Sequence, residues 1–383
     1  MQGLHNQGHE VKYLATDNAI NIDPATEYLI PEKAPYIHLL DYLKDNARVS
    51  TITKQILDQT FSNNRNFLNY VSAGLFVYSV REFVETVVSF ETLLSESPPD
   101  IMLVLHENNF WTKTIAYLCS VYGVPCVGFQ EGLLRHRDQK TYNKQSTAAE
   151  YTNKLLVWSG ADAVAYNNAG ISEDKISVVG IPHLDEMLQA KKDKEKWAAL
   201  KTSAKQTLGY SLERPLVVLA LPQLDRFEGD VNFAVSSVVG HCIASNIQVC
   251  VSLHPFAAES SRVELESHLK ASAQVFRSKP APLLLLAADA LVCQHSTIAV
   301  EALAMDVPLL EIDLSNYGVL QSLAEDGVAV RVGPNELDKI NQVLLRQIIL
   351  DTERVETWKC DHLGPLDGLA TDRATQAIMS LIT

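Results

Sequence analysis

The sequence predicts an α/β protein built from two doubly wound domains. Three observations predict it. Short continuous Val/Ile/Leu runs recur along the chain, stretches of helical period separate nearly all of them, and 383 residues are too many for one ordinary core. Runs that are apolar at every position, rather than at alternate ones, indicate strands buried on both faces of a parallel sheet. Repeated strand–helix units then give doubly wound domains.

In chain order, MQGLHNQGHEVKYLAT reads as the last turns of a helix, a stop at Gly8 and a strand over 11–16. A doubly wound domain opens with a strand and a phosphate-facing loop before its first helix. The first strand of the N-terminal domain is therefore expected to be missing. We read the sequence as N-terminally truncated, with an internal or misassigned Met1 as the alternative. IMLVLH (101–106), PCVGFQ (125–130), KLLVW (154–158) and ISVVG (176–180) continue the first set of strands. Residues 186–213 are Lys-rich and helix-favouring, with no strand signal. They are expected to connect the domains, the alternative being a long surface helix within one domain. PLVVLALP (215–222), QVCVSLH (248–254), ALVCQ (290–294), PLLEID (308–313) and VAVRVG (328–333) make the second set. No internal repeat interrupts the pattern.

Hydrophobic residues make up 47% and charged residues 20%, ordinary values for a globular protein. The formal net charge of −14 argues against a nucleic-acid surface or a broad polybasic membrane patch. It leaves room for one local phosphate pocket. Cys119, Cys126, Cys242, Cys250, Cys293 and Cys360 are scattered without a C-x-x-C pair, as expected of reduced thiols in the cytoplasm. No run approaches the ~18 apolar residues of a spanning helix, and no signal-peptide pattern opens the sequence.

In open α/β sheets, ligands bind beyond the carboxyl ends of the strands, so polar residues at strand exits are the candidates. Gln223 follows PLVVLALP. His254-Pro255 closes QVCVSLH, where proline fixes the backbone around the imidazole. Such a histidine can donate to phosphate or simply satisfy a backbone group. Gln294-His295-Ser296-Thr297 leaves ALVCQ and opens a helix whose free N–H groups suit an anion, with Ser296 or Thr297 as the expected cap. Glu301, one turn past Thr297, is wrongly spaced for a capping box. It suits a vicinal diol, or is an exposed helix acid. In GFQEGLLRHRD (128–138), Gln130, Glu131 and Gly132 leave a strand, and Arg135 and His136 follow, with Arg137 beside that pair. Glu131 is a candidate general base and the cationic pair a holder of charged substrate; a loop with internal salt bridges is the alternative. G-x-x-x-x-G-K-[ST], G-x-G-x-x-G after a strand, G-x-S-x-G and structural zinc spacing are all absent, and no metal site is expected.

NKLLVWSGADAVAYNNAGISEDKISVVGIPHLDEM (153–187) resembles a segment shared by bacterial sugar-nucleotide enzymes of the GT-B fold, through Gly170, Ile171, Lys175, Ile176, Val178, Val179, Gly180, Pro182 and Asp185. LHP (253–255) and ADALVCQHSTIAVEALAMDVPLLEID (288–313) resemble the donor half of that superfamily, and DGLATDRATQAI (367–378) its C-terminal helix. The resemblance implies two Rossmann-like domains facing across a cleft. They comprise an acceptor domain over 1–185, the connection over 186–213, a donor domain over 214–365, and a helix over 366–383 returning to the first domain. Gly180, Pro182 and Asp185 fall at the implied hinge.

Three members compete. UDP-N-acetylglucosamine 2-epimerases share the hinge but carry Ser-Gly-Gly-x-x-Glu-Glu at the donor turn, where this chain has Gln-His-Ser-Thr-Ile-Ala-Val-Glu. Capsule and lipopolysaccharide glycosyltransferases pair His-Pro with a Ser/Thr turn and carry an acidic-acidic-Gly base motif, close to Gln130-Glu131-Gly132. CDP-glycerol-type transferases typically have His-Gly where this chain has Glu131-Gly132. The resemblance therefore implies a glycosyltransferase moving a sugar from a CMP- or UDP-activated donor to a cell-surface glycan or lipid-linked acceptor. Glu131 and His254 are its expected catalytic residues. Gln223, His254, Pro255, Gln294, His295, Ser296, Thr297 and Glu301 are expected at the donor, and Gln130, Gly132, Arg135 and His136 at the acceptor or cleft. The nucleotide-sugar is substrate, no cofactor is expected to be tightly bound, and no nucleic acid is expected as partner. The expected location is the cytoplasm, with peripheral contact at the inner face of the membrane compatible with it. A non-catalytic nucleotide-sugar-binding protein or fragment is the reading of another class.

Overall fold

The structure is a computed structural model that describes residues 10, 13–15, 36–38, 43–63, 73–105, 107, 110–130, 132, 149–222, 231–254, 257–270, 272–277, 280–294, 296–312, 322–333 and 335–382. Among these, strands β1 (Tyr13–Ala15) and β2 (Tyr36–His38) form a parallel pair of their own. Helices α1 (Asn46–Asn63) and α2 (Ala73–Glu96) follow. The first large sheet then alternates β3 (Met102–Leu105), α3 (Phe110–Tyr122), β4 (Cys126–Phe129), β5 (Lys154–Val157), α4 (Gly160–Asn168) and β6 (Ile176–Val178). Its strands are parallel and in sequential order, β3-β4-β5-β6. Where five first-half strands were expected in one set, β1 pairs with β2 outside this sheet. The expected missing strand would precede residues 1–9, which lie outside the described residues.

Helices α5 (Asp185–Lys191) and α6 (Lys194–Thr207) lead to the second half. There β7 (Leu216–Ala220), α7 (Val231–Ala244), β8 (Gln248–Ser252), α8 (Glu259–Leu269), β9 (Gln274–Phe276), α9 (Ala281–Ala287), β10 (Ala290–Cys293), α10 (Ile298–Ala304), β11 (Leu309–Ile312) and β12 (Val330–Val332) alternate. Helices α11 (Asp338–Leu344), α12 (Thr352–Leu363) and α13 (Ala370–Met379) complete the chain. The second sheet is parallel in the order β12-β11-β10-β7-β8-β9. Every residue of β7, β10 and β11 is buried, which is why β7 and β10 are unbroken apolar runs; the one acid in β11, Glu311, accepts from the Ser322 hydroxyl and the Ala324 N–H. Each fully buried Val or Leu there contributes about 1.5–3 kcal/mol relative to exposure.

Residues 186–213, expected to connect the domains, are folded onto the second half. Asp193 caps α6 by accepting from the backbone N–H of Glu195 and Lys196. Leu188, Ala204 and Leu208 enter the same core as Leu216, Val218 and Leu291. Lys205 reaches Asp289 at 3.0 Å, and Asp289 also accepts from the Leu216 N–H at 2.8 Å, tying α6 to β7 and to the start of β10.

The chain after α12 straps the two halves together. Ala374 and Ile378 of α13 pack on Val127, Leu156 and Val179 of the first sheet. Asp185 accepts from the N–H groups of Ala370 and Thr371 at 3.0 and 2.6 Å, capping α13 from 185 residues away in sequence. Arg373 donates to the Val179 carbonyl and forks onto both oxygens of Asp367 at 2.8 and 2.9 Å. That guanidinium, with the Leu369 N–H, holds the Asp367 carboxyl down at about 2. Gly364, Gly368 and Gly180 all have positive φ where strap and chain meet.

Candidate functional site

Strand order in the second sheet reverses between β7 and β10, and the crevice of an open α/β sheet lies beyond the carboxyl ends at such a reversal. Buried Leu221 and half-buried Pro222 leave β7 there. Gln223, expected at the donor, lies outside the described residues, as do Glu131, Arg135, His136, Pro255 and His295. Buried Gln294 leaves β10, followed by Ser296 and Thr297. On the other side of β7, half-buried His254 follows β8. Its carbonyl accepts from the Ala257 N–H at 2.8 Å, and Arg277, just past β9, donates to the Ala257 carbonyl at 2.6 Å. The turn after β8 is thereby set by its neighbouring strand.

The expected cap of α10 does not form as such. Thr297 occupies the N-cap position with helical backbone angles (φ −58°, ψ −26°), and its side chain makes no capping hydrogen bond. The turn is instead closed by backbone bonds from Ala299 to Ser296 and from Val300 to Thr297. Thr297 is exposed and stands opposite the first half of the chain: a Cβ on Gly132 (φ +75°) would lie 3.6 Å from its Oγ1. The exit of β4 and the exit of β10 thus face each other.

Gln130, read as a cleft residue, is turned inward. It is buried, its Oε1 accepts from the Trp158 N–H at 2.9 Å, and its Nε2 donates to the Gly132 carbonyl at 3.0 Å. It fixes the backbone that carries Gly132 against the exit of β5. Asp185, read as a hinge residue, spends both carboxylate oxygens on α13. Pro182 opens the 3₁₀ turn Pro182–Leu184, and Gly180 at φ +89° sits under the Pro365 carbonyl and Ala370.

Glu301 is the most informative side chain. It is only 13% exposed. Its Oε1 lies 3.1 Å from Nε2 of His183, and its Oε2 is buried without a hydrogen-bond partner among the described residues. A buried carboxylate oxygen left unpaired costs at least about 1–3 kcal/mol, so Oε2 is an acceptor in need of a donor. His183 is the residue that the sequence reading passed over. It sat inside the hinge spacing, and its partner lies 118 positions away. Cys293 is at the same rim, but burial pushes its thiol up to about 12, so it is no thiolate nucleophile at neutral pH. Among the described residues no three His, Cys, Asp or Glu side chains gather as metal ligands. No helix among them is long and apolar enough to cross a membrane.

No protein-family model matches the sequence, and no curated protein sequence matches it. Solved structures do. UDP-GlcNAc 2-epimerase from Neisseria meningitidis bound to UDP-GlcNAc is 13% identical, with a TM-score of 0.57 over 78% of this chain and 81% of its own. The epimerase from Methanocaldococcus jannaschii, in complex with UDP-GlcNAc and UDP, gives 16% and 0.53 over 78% and 81%. The wall teichoic acid polymerase TagF, soaked with CDPG, gives 14% and 0.53 over 79% and 75%. At these identities the likeness is one of fold, and the fold is of the GT-B type, two parallel sheets flanked by helices.

Proposed function

We propose that this GT-B-type chain is an enzyme acting on a nucleotide-activated sugar, and that the reaction is transfer of the sugar to a glycan or lipid-linked acceptor hydroxyl. The observation that carries the reading is the buried, unpaired Oε2 of Glu301, at the strand-order reversal of the second sheet. A carboxylate there accepts hydrogen bonds from a vicinal diol, as ribose supplies, and repels phosphate. The phosphates then belong on the Ser296–Thr297 side, with His254 on the same rim. The acceptor oxygen attacks the anomeric carbon as the bond from that carbon to the phosphate oxygen breaks. Glu131 takes the acceptor's proton, and His254 stabilises the charge left on the departing phosphate. The approach of Gly132 to Thr297 supports a cleft narrow enough to exclude water once filled.

Fold likeness to TagF supports a second reading, transfer of a polyol phosphate, in which the acceptor attacks phosphorus instead. Likeness to the epimerases keeps UDP-N-acetylglucosamine as a donor to test. A thermal-shift panel of UDP, CMP, CDP, GDP and UDP-N-acetylglucosamine separates these, since a ligand of the folded state raises the midpoint by mass action. CMP selectivity favours an acidic-sugar transferase, CDP the polyol reading, and UDP-N-acetylglucosamine the epimerase. Glu301→Gln is expected to weaken the best binder roughly 10–100-fold by titration calorimetry, because the amide loses the charge that strengthens both hydrogen bonds and sets an NH2 donor against either His183 or the diol. Undiminished binding by that variant overturns the donor site as drawn.

A further inference from the structure

Glu301 has three rotatable side-chain bonds, and a ligand that uses Oε2 must find it already aimed. The aim is supplied from outside α10. His183 Nε2 lies 3.1 Å from Oε1, a geometry in which the ring N–H donates to the carboxylate. The imidazole is itself on a fixed mount. Ile181 and Leu184 on either side are 1% and 0% exposed and lie in the core shared with β7 and β10. Pro182 restricts φ at the start of the 3₁₀ turn, and Asp185 is committed to the first turn of α13. The His183 side chain is nevertheless 50% exposed, so its ring stands out of that core toward Glu301.

We propose that His183 is a positioning residue for ligand binding: it locks the Glu301 carboxylate so that Oε2 is presented to the hydroxyls of the bound nucleotide. The inference rests on the reading of Glu301 as the diol contact. With the rotamer set beforehand, binding does not have to order the side chain, and the entropy of ordering it is not charged to the ligand. The backbone carrying His183 is also where the first sheet's last strand passes into the second half, so the site's acid is oriented from the junction between the two sheets.

The test is a double-mutant cycle read by titration calorimetry with UDP, CMP and CDP, on wild type, His183→Ala, His183→Gln, Glu301→Ala and the double Ala variant. His183→Ala is expected to weaken the nucleotide that binds about 10-fold, and the double variant to bind no worse than Glu301→Ala alone. His183→Gln, which keeps an N–H donor, is expected to recover most of the loss, with the melting midpoint of the free protein unchanged in all three His183-containing comparisons. Wild-type affinity in His183→Ala, or losses that multiply in the double variant, overturn the inference while leaving the donor site standing. A midpoint that falls equally in the Ala and Gln variants assigns His183 a structural role and overturns it too. A wild-type chain that binds none of the three nucleotides removes the reading of Glu301 and this inference with it.

Discussion

A single hydrogen atom decides what Gly364 must be. A Cβ built there would lie 2.0 Å from the Trp158 carbonyl oxygen, and the backbone is at φ +72°, where side chains are already strained. The obstacle is main chain at the exit of β5, so it cannot step aside as a flexible side chain would. Gly364→Ala is expected to destabilise the protein by about 3 kcal/mol, visible as a lower urea midpoint at unchanged slope. Residues of this kind also mark where sequence reading ends. Ser296, Thr297 and Glu301 were nameable because a strand exit, a turn and one helical step lie within a few positions of one another. His183 was not, because its contact with Glu301 exists only once α10 is folded beside it. Gln130 and Asp185 were found by position but not with their partners, since nothing local says that an amide turns back to the Trp158 N–H or that an acid caps a helix so distant in sequence.

At the level of elements, the helix cap made by Asp185 is the most testable contact. It satisfies two of the four N–H groups that any helix start leaves open, one of them belonging to buried Ala370. Asp185→Ala is expected to cost about 1–2 kcal/mol, and hydrogen exchange over Ala370–Met379 is expected to quicken more than exchange in β7 or β10. Uniform quickening across the protein would show that α13 does not open separately. Most elements were legible. All ten strands read from the apolar runs are present; the pattern is cleanest in β7 and β10, where burial on both faces leaves no polar position, and it survives the isolated Ser177, Glu311 and Arg331 elsewhere. The two that escaped, Tyr36–His38 and Gln274–Phe276, are three residues long, and the second is an edge strand that begins on exposed Gln274. The packing of α5–α6 was harder to read, because only a few residues, Leu188, Ala204 and Leu208 among them, touch the core, and a Lys-rich surface hides so narrow a stripe.

Across the whole molecule the two sheets are interlaced rather than merely joined. Trp158, at the exit of β5, lies in the same core as β7, β10 and α10, while α13 covers the first sheet. Neither half keeps its apolar surface covered without the other. Urea unfolding is therefore expected to be one transition, with tryptophan fluorescence and far-UV circular dichroism coinciding; two separated transitions would show the halves to be independent. The strap also has a meaning for how the protein is made. Val179 leaves the ribosome early, yet Arg373, which binds its carbonyl, is translated 194 positions later. At synthesis rates of about 5–20 residues per second, the face formed by Val127, Leu156 and Val179 waits on the order of ten seconds or more for its cover. The first half is thus born before the second but finished after it, and through that interval its uncovered face is open to chaperones and to its own neighbours on the polysome.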